Sequence, residues 1–395
     1  MNTPTTASPS RFLISIIVLA QFAGTSLWFA GNAVLADIQQ SMGLVDLNLG
    51  LLTSSVQLGF ILGTLVFAFL TIADRFSPSR VFLFCALAGA LSNAAILYLA
   101  NDQFSLLAFR MLTGFFLAGI YPVGMKIAAD HFQAGLGKAL AWLVGALVVG
   151  TAFPHLLRNF TQGLVWEYVL LLTSLLATIG GLLIGWLVPD GPYRRKSKGM
   201  DISAFMRVFE HRPFRQAAFG YFGHMWELYT FWALIPFFLE QYQDLNQTSI
   251  SISLWAFWII GIGGLSCVIG GYLVSYIGST RVALYSLALS ACCCFLSPWM
   301  YQCSPIFFLL FLLFWGMVVI ADSPQFSVLV AQRALPEQVG TALTIVTCLG
   351  FSLTILSLLL IQQFITWYPT TYVYWLLLIG PLLGLWSFRD QFTKG

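Results

Sequence analysis

Four ionisable side chains stand inside long apolar runs, and their types and spacing point to proton chemistry. Glu227 lies in Gly220-Tyr-Phe-Gly-His224-Met-Trp-Glu227-Leu-Tyr-Thr-Phe-Trp232, with His224 three residues earlier. That spacing puts both on one face of a helix. Asp322 precedes Pro324 by two positions in another apolar run, and Arg110 opens the segment Arg110-Met-Leu-Thr-Gly114. A carboxylate in an apolar setting is costly when charged, so it takes up a proton unless a cation compensates it. Histidine titrates near neutrality. Glu227 is therefore the expected principal proton-coupling group, with His224 tuning it. Asp322 is either a second coupling acid or a hydrogen-bond partner for backbone freed by Pro324. Arg110 either snorkels to an interface, binds an anionic group in a cavity, or pairs with an acid such as Glu227.

Polar and aromatic residues in the same runs are candidates for lining a solute cavity. They are Arg110, Trp28, Asn32, Gln57, Trp226, Tyr229 and Trp255. Each has a plainer alternative. Aromatics pack between helices or form interface belts, and Asn32 and Gln57 bond neighbouring helices. No catalytic constellation accompanies them. The sequence has no Gly-rich phosphate loop ending in Lys-Ser/Thr, so ATP-driven pumping has no visible engine. It has no Cys-x-x-Cys or Cys/His cluster, and Cys292, Cys293 and Cys294 fall inside an apolar run where Cys acts as a small hydrophobe. Catalytic residues, bound metal and cofactor are all expected to be absent.

Composition fixes what must hold these residues. Charged residues are 8% of the 395 and hydrophobic residues 59%, whereas soluble domains carry roughly 25% charged residues. Such a chain cannot make a water-facing exterior, so its partner is the lipid bilayer. The net charge of +3 suggests no nucleic-acid partner. Twelve apolar runs follow: 12–34, 47–72, 80–100, 104–128, 138–160, 166–188, 214–239, 251–275, 282–301, 306–330, 339–364 and 371–388. Each approaches or exceeds the ~20 residues that cross a bilayer as helix. None alternates as a barrel strand would. The expected class is an all-α integral membrane protein of twelve transmembrane helices, numbered here as spans 1 to 12.

The longest polar interval, 189–213, divides the chain. It holds Arg194, Arg195, Lys196, Lys198, Arg207 and Arg212. We read 1–188 as an N-terminal six-helix bundle, 189–213 as a cytoplasmic hinge, and 214–395 as a C-terminal six-helix bundle. Ile202, Phe205, Met206 and Phe209 recur at helical spacing, so 201–212 is expected to be an amphipathic helix on the membrane surface. With both termini cytoplasmic, sixteen of the eighteen Lys and Arg fall on the cytoplasmic side. The opposite orientation inverts that bias. Compact loops favour a bacterial inner membrane; a monomer is expected.

The halves repeat. Gly-Ile-Tyr-Pro122 is followed seven residues on by Ala129 and then by Gly137-Lys-Ala-Leu140, and Ala-Asp-Ser-Pro324 seven residues on by Ala331 and then by Gly340-Thr-Ala-Leu343. Parallel repeats place a solute path between the halves near the midplane. Leu70-Thr-Ile-Ala-Asp74-Arg75-Phe-Ser77-Pro78-Ser79-Arg80 follows span 2, and Gly271-Tyr-Leu273-Val-Ser275-Tyr-Ile-Gly278-Ser279-Thr-Arg281 follows span 8. With twelve spans and a central hinge, these loops resemble the major facilitator superfamily. Asp74 and Arg75 match the family pattern, while Leu70 and Ser77 replace its glycines and Ser275 stands where the first copy has Asp. Arg110-Met-Leu-Thr-Gly114 looks like the family's span-4 element. The resemblance implies two pseudo-symmetric bundles, alternating access, and a conformational latch of Asp74, Arg75, Arg80 and Arg281. In that latch Asp74 would meet the positive N-terminal end of span 11. The expected function is secondary active transport of a small organic solute, coupled to protons as symport or antiport. Alternatives are a multidrug-type exporter of amphipathic compounds and a transporter-like membrane receptor or scaffold without transport.

Overall fold

The structure, a computed structural model, describes residues 11–392 except 45, 133–134, 162, 195–208, 336–337 and 368–369. The described residues form helices and turns, with no strand among them. Span 1 begins as Arg11–Thr25, unwinds over 26–31, and resumes through the short helices Asn32–Val34 and Leu35–Met42. Spans 2 and 3 are Leu49–Phe69 and Pro78–Leu99, joined by the short helix Ile72–Arg75. Span 4 is Gln103–Leu117 continued by Tyr121–His131; spans 5 and 6 are Leu136–Phe160 and Glu167–Leu187. Span 7 is the long Arg212–Asn246, and spans 8 and 9 are Ile252–Ile277 and Ser279–Met300. Span 10 is Pro305–Ala321 continued by Ser323–Arg333, span 11 is Val339–Ile365, and span 12 is Trp375–Ser387. The expected amphipathic helix at 201–212 lies largely outside the described residues.

Nine of these helices are long and apolar enough to cross a membrane by length and composition. The other three spans depart for local reasons. Span 1 is interrupted at Ser26. Span 7 carries His224, Glu227 and a polar far end. Span 12 is only 13 residues in its regular part.

The sequence sets the breaks. Spans 4 and 10 each stop and restart just before a proline, Pro122 and Pro324, which sits in the first turn of the second segment. A proline there lacks only an N–H that has no helical partner anyway, but it cannot continue the preceding helix. The repeat seen in sequence is thus a repeat of broken helices. Span 4 starts with a capping box in which Asp102 accepts from the Ser105 amide and Ser105 reaches back. That contact holds the exposed Asp102 carboxyl below its usual range.

Small residues decide which helices touch. A Cβ on Gly59 would lie 1.8 Å from Met111 O, and one on Gly114 would lie 1.9 Å from Val56 O, so spans 2 and 4 meet backbone to backbone. The counterpart pair, spans 8 and 10, meets the same way at Gly316, whose Cβ would lie 1.9 Å from Ile259 O. Spans 1 and 6 meet at Gly180, and spans 7 and 12 at Gly223 and Gly380. This is membrane packing, where close approach substitutes for a hydrophobic driving force. The halves join along two further seams. Spans 5 and 8 cross at Gly145 and Gly264, and spans 2 and 11 pack along their lengths with the Phe60 and Phe351 rings 4.7 Å apart.

Residues 189–194 dock against the loop after span 2. Arg194 donates to Asp74 O at 2.9 Å and to Phe76 O at 2.6 Å, while Ser77 donates to Asp190 at 2.6 Å. This side of the molecule is called the hinge face, and the opposite one the far face.

Candidate functional site

The unwound stretch of span 1 frees backbone carbonyls inside the molecule, and Arg110 takes them. Its guanidinium, fully buried, donates to Leu27 O at 3.2 Å, Trp28 O at 2.6 Å and Asn93 Oδ1 at 3.1 Å. Asn93 is held in turn by Leu170 O, Thr173 and Ser174 of span 6. A planar fork of donors suits three convergent oxygens. Arg110 thus neither snorkels nor pairs with Glu227. All three acceptors are neutral, its Nε has no partner, and it forms no ion pair among the described residues.

The geometry imposed on 26–31 presents Trp28 to the seam between the halves. Trp28 stacks on Tyr229 of span 7 at 5.4 Å and 26°, and on Phe351 of span 11 at 5.7 Å and 24°. Phe60 of span 2 closes the group at 4.9 Å from Trp28. These separations are ordinary attractive ring contacts. The four rings come from four spans, two in each half. Around them stand buried polar atoms without partners, namely Trp28 Nε1, Trp232 Nε1, both amide atoms of Gln57, Asn32 Oδ1 and His155 Nε2. Buried polar groups are ordinarily satisfied, and these atoms have no partner among the described residues. Above them a cavity of about 780 Å³ lies towards the far face, lined by Asn32, Asp37, His155, Arg158, Pro236 and Glu240 among others. Arg158 pairs there with Asp37 at 2.7 Å.

Two of the other aromatic candidates are placed elsewhere. Trp226 donates to Leu376 O at 2.8 Å and packs on Gly380, so it is turned onto span 12. Trp255 is half-buried at the edge of the core and makes no ring contact with the cage among the described residues. Spacing three residues from Tyr229 would allow Trp226 a place on the same side of the helix; the close approach of span 12 at Gly380 takes its ring instead.

The proton-coupling candidates gather inside the C-terminal half. His224 Nδ1 lies 2.8 Å from Asp322 Oδ1, with both side chains 1% exposed. The partner of His224 is thus Asp322, at the break of span 10, although His224 shares a helix face with Glu227. Glu227 Oε1 instead accepts from Ser290 at 2.5 Å, Trp315 Nε1 at 2.8 Å and the Cys294 thiol at 3.2 Å. Sequence reasoning missed Ser290, Cys294, Trp315, Asn93, Phe60 and Phe351. Asn93, a lone amide in span 3, was detectable on the same grounds as Asn32. Phe60 and Phe351 were not, among 35 phenylalanines.

Of the expected latch residues, Asp74 is held by a residue outside that set. Asp74 pairs with Lys126 of span 4 at 2.9 Å, and Lys126 also contacts Asp130 at 3.5 Å. A pocket of about 360 Å³ separates Asp74 from Gly340, Thr341 and Thr344 at the start of span 11. Arg75, Arg80 and Arg281 are exposed on the hinge face.

Two helical halves joined along two seams, with broken helices repeated in each, give the architecture of a membrane transporter. A sequence profile described as Major Facilitator Superfamily matches residues 15–358, and the chain belongs to that family. No curated protein matches it. Among solved structures, the human organic anion transporter MFSD10 (TETRAN) superposes with a TM-score of 0.75 at 16% identity, covering 96% of this chain and 100% of that one. At that identity the likeness concerns the fold.

Proposed function

We propose that the chain is a proton-coupled secondary transporter of a small organic solute, working by alternating access. The observation that carries this reading is the buried His224–Asp322 contact beside Glu227, three titratable groups inside one bundle and out of reach of water. Groups so placed in a membrane protein mark ion or proton pathways. The solute would bind among Trp28, Phe60, Tyr229 and Phe351, offering an aromatic or aliphatic body to the rings and polar atoms to Gln57, Asn32 and Trp232. The bundles 1–188 and 214–395 would rock about this point. Asp74 would act on the hinge face, exchanging Lys126 for the start of span 11 as that face closes.

Pure protein in liposomes tests the reading. A pH gradient is expected to drive solute accumulation in the wild type. Glu227→Gln and Asp322→Asn should each lose the driven flux yet retain gradient-free exchange. Accumulation by both variants at the wild-type level would sink proton coupling through these groups.

Within the same class, an organic anion is favoured by Arg110, a buried cation that no carboxylate of the described residues compensates. The structural neighbour MFSD10 is an organic anion transporter. Competition between neutral, cationic and anionic aromatic compounds in the exchange assay decides this. Preference for cations would exclude it.

A further inference from the structure

On the hinge face, where span 7 begins and span 12 ends, a groove of about 370 Å³ is lined by Arg212, Arg215, Phe219, Leu383, Trp386 and Arg389 among others. We infer that this groove is a binding site for an anionic phospholipid, with the phosphate among the guanidiniums and an acyl chain along the apolar wall.

The local packing makes the groove. Spans 7 and 12 approach backbone to backbone at Gly220, Gly223, Gly380 and Gly384. Side chains on either side of that contact must splay outward. Phe219 is 49% exposed, Leu383 59% and Trp386 62%. On helices that cross a bilayer, such exposure means contact with lipid chains. Just beyond these apolar residues stand the three arginines, all exposed. Arg389 lies 4.0 Å over the Trp386 ring, a cation–π contact that fixes it at the edge of the apolar wall. Arg215 is steadied by donating to Phe209 O and Glu210 O, both at 2.9 Å. Arg212 contacts Asp390, the one carboxylate among the described lining residues, so these residues together remain net positive.

Charge and geometry together select the occupant. A guanidinium fork matches phosphate oxygens and stacks on an aromatic ring at once. A basic rim set directly above lipid-exposed side chains satisfies a headgroup and its chains together, whereas a soluble anion would leave the apolar wall unused. Basic pockets between helices on the positively biased side of a membrane protein bind such headgroups. The site is independent of the solute cage and stands whether or not proton coupling does.

The test uses the full chain purified in detergent and titrated with phosphatidylglycerol, phosphatidylcholine or glycerol 3-phosphate while thermal unfolding is followed. Phosphatidylglycerol is expected to raise the unfolding midpoint by about 3 °C or more over phosphatidylcholine at saturation. Arg215→Gln/Arg389→Gln should lose most of that increment. Lys138→Gln, a hinge-face lysine stacked over Tyr272 away from the groove, should keep it. Native mass spectrometry adds a reading that does not depend on unfolding: Arg389→Gln alone should retain less phosphatidylglycerol than wild type. Equal response to both lipids, an undiminished response in the double variant, a shift reproduced by glycerol 3-phosphate, or unchanged lipid retention would each overturn the assignment.

Discussion

Asp322→Asn and His224→Gln, singly and together, probe the contact on which the proposed coupling rests. The two side chains are each 1% exposed and their nearest atoms are 2.8 Å apart. With about 4 Å between charge centres, an effective dielectric near 20 gives an attraction of roughly 4 kcal/mol. Removing one member strands the other without solvent, and breaking a buried pair this way costs about 3–5 kcal/mol. Asparagine and glutamine can still hydrogen-bond, which returns part of that cost. Each single variant should therefore lose about 2–3 kcal/mol, while the double variant should lose scarcely more than either, a coupling of about 2 kcal/mol. Equilibrium unfolding in mixed micelles measures all four proteins at one pH. Additivity within about 0.5 kcal/mol would show that the two groups are neighbours without being a charged pair. The proposal that a proton is stored between them would then fail.

Two further substitutions test other parts of the structure. Gly114→Ala would place a methyl 1.9 Å from the Val56 carbonyl oxygen, where backbone rather than a movable side chain stands in the way. It should destabilise by at least the ~1–3 kcal/mol typical of overpacking, seen as lower yield of monodisperse protein; a wild-type unfolding profile would contradict the backbone contact of spans 2 and 4. Asp74→Asn removes the charge held by Lys126 at 2.9 Å on a partly exposed loop, so stability should change by no more than about 1 kcal/mol. Transport should slow, and an unchanged rate in liposomes would reduce Asp74 to loop chemistry.

Much of the fold could be read from the sequence because a bilayer imposes its own grammar. Length and apolarity give helices, and the repeat around prolines 122 and 324 marks where the structure breaks spans 4 and 10; the glycine contacts of spans 2, 4, 8 and 10 emerge only from the structure. The site was legible one residue at a time but not as a constellation. Spacing placed His224 beside Glu227, and on their own helix that is correct. Which partner each takes depends on spans 9 and 10, and no periodicity within span 7 says that Asp322 stands nearer His224 while Ser290 and Trp315 reach Glu227. The partners of Arg110 were hidden for a related reason. Its partners are carbonyls of Leu27 and Trp28, and they exist as acceptors only because span 1 unwinds between Thr25 and Asn32. The apolar run 12–34 gives no sign of that interruption beyond Gly24, Thr25, Ser26 and Gly31.

Span 7 shows how the two candidate sites can communicate without sharing a residue. At 3.6 residues per turn, each position advances by about 100°. Glu227 and Tyr229 are therefore about 200° apart, on opposite sides of one helix. The first side carries His224, Glu227 and Phe231, packed against Asp322, Ser290 and Trp315 of the same bundle. The second carries Tyr229 and Trp232, facing Trp28 and Phe29 of the other bundle. On the proposed reading, proton and solute do not compete for the same atoms, and the link between them is the position of this helix. Its described stretch runs unbroken from Arg212 to Asn246, whereas span 1 unwinds at the corresponding depth. On that reading, a shift driven from the proton side would be delivered to the rings as a displacement of the whole helix. Linkage makes the effect reciprocal. If protonation changes solute affinity by some factor, solute must change proton affinity by the same factor, although the nearest group it touches is a ring on the far side of the helix.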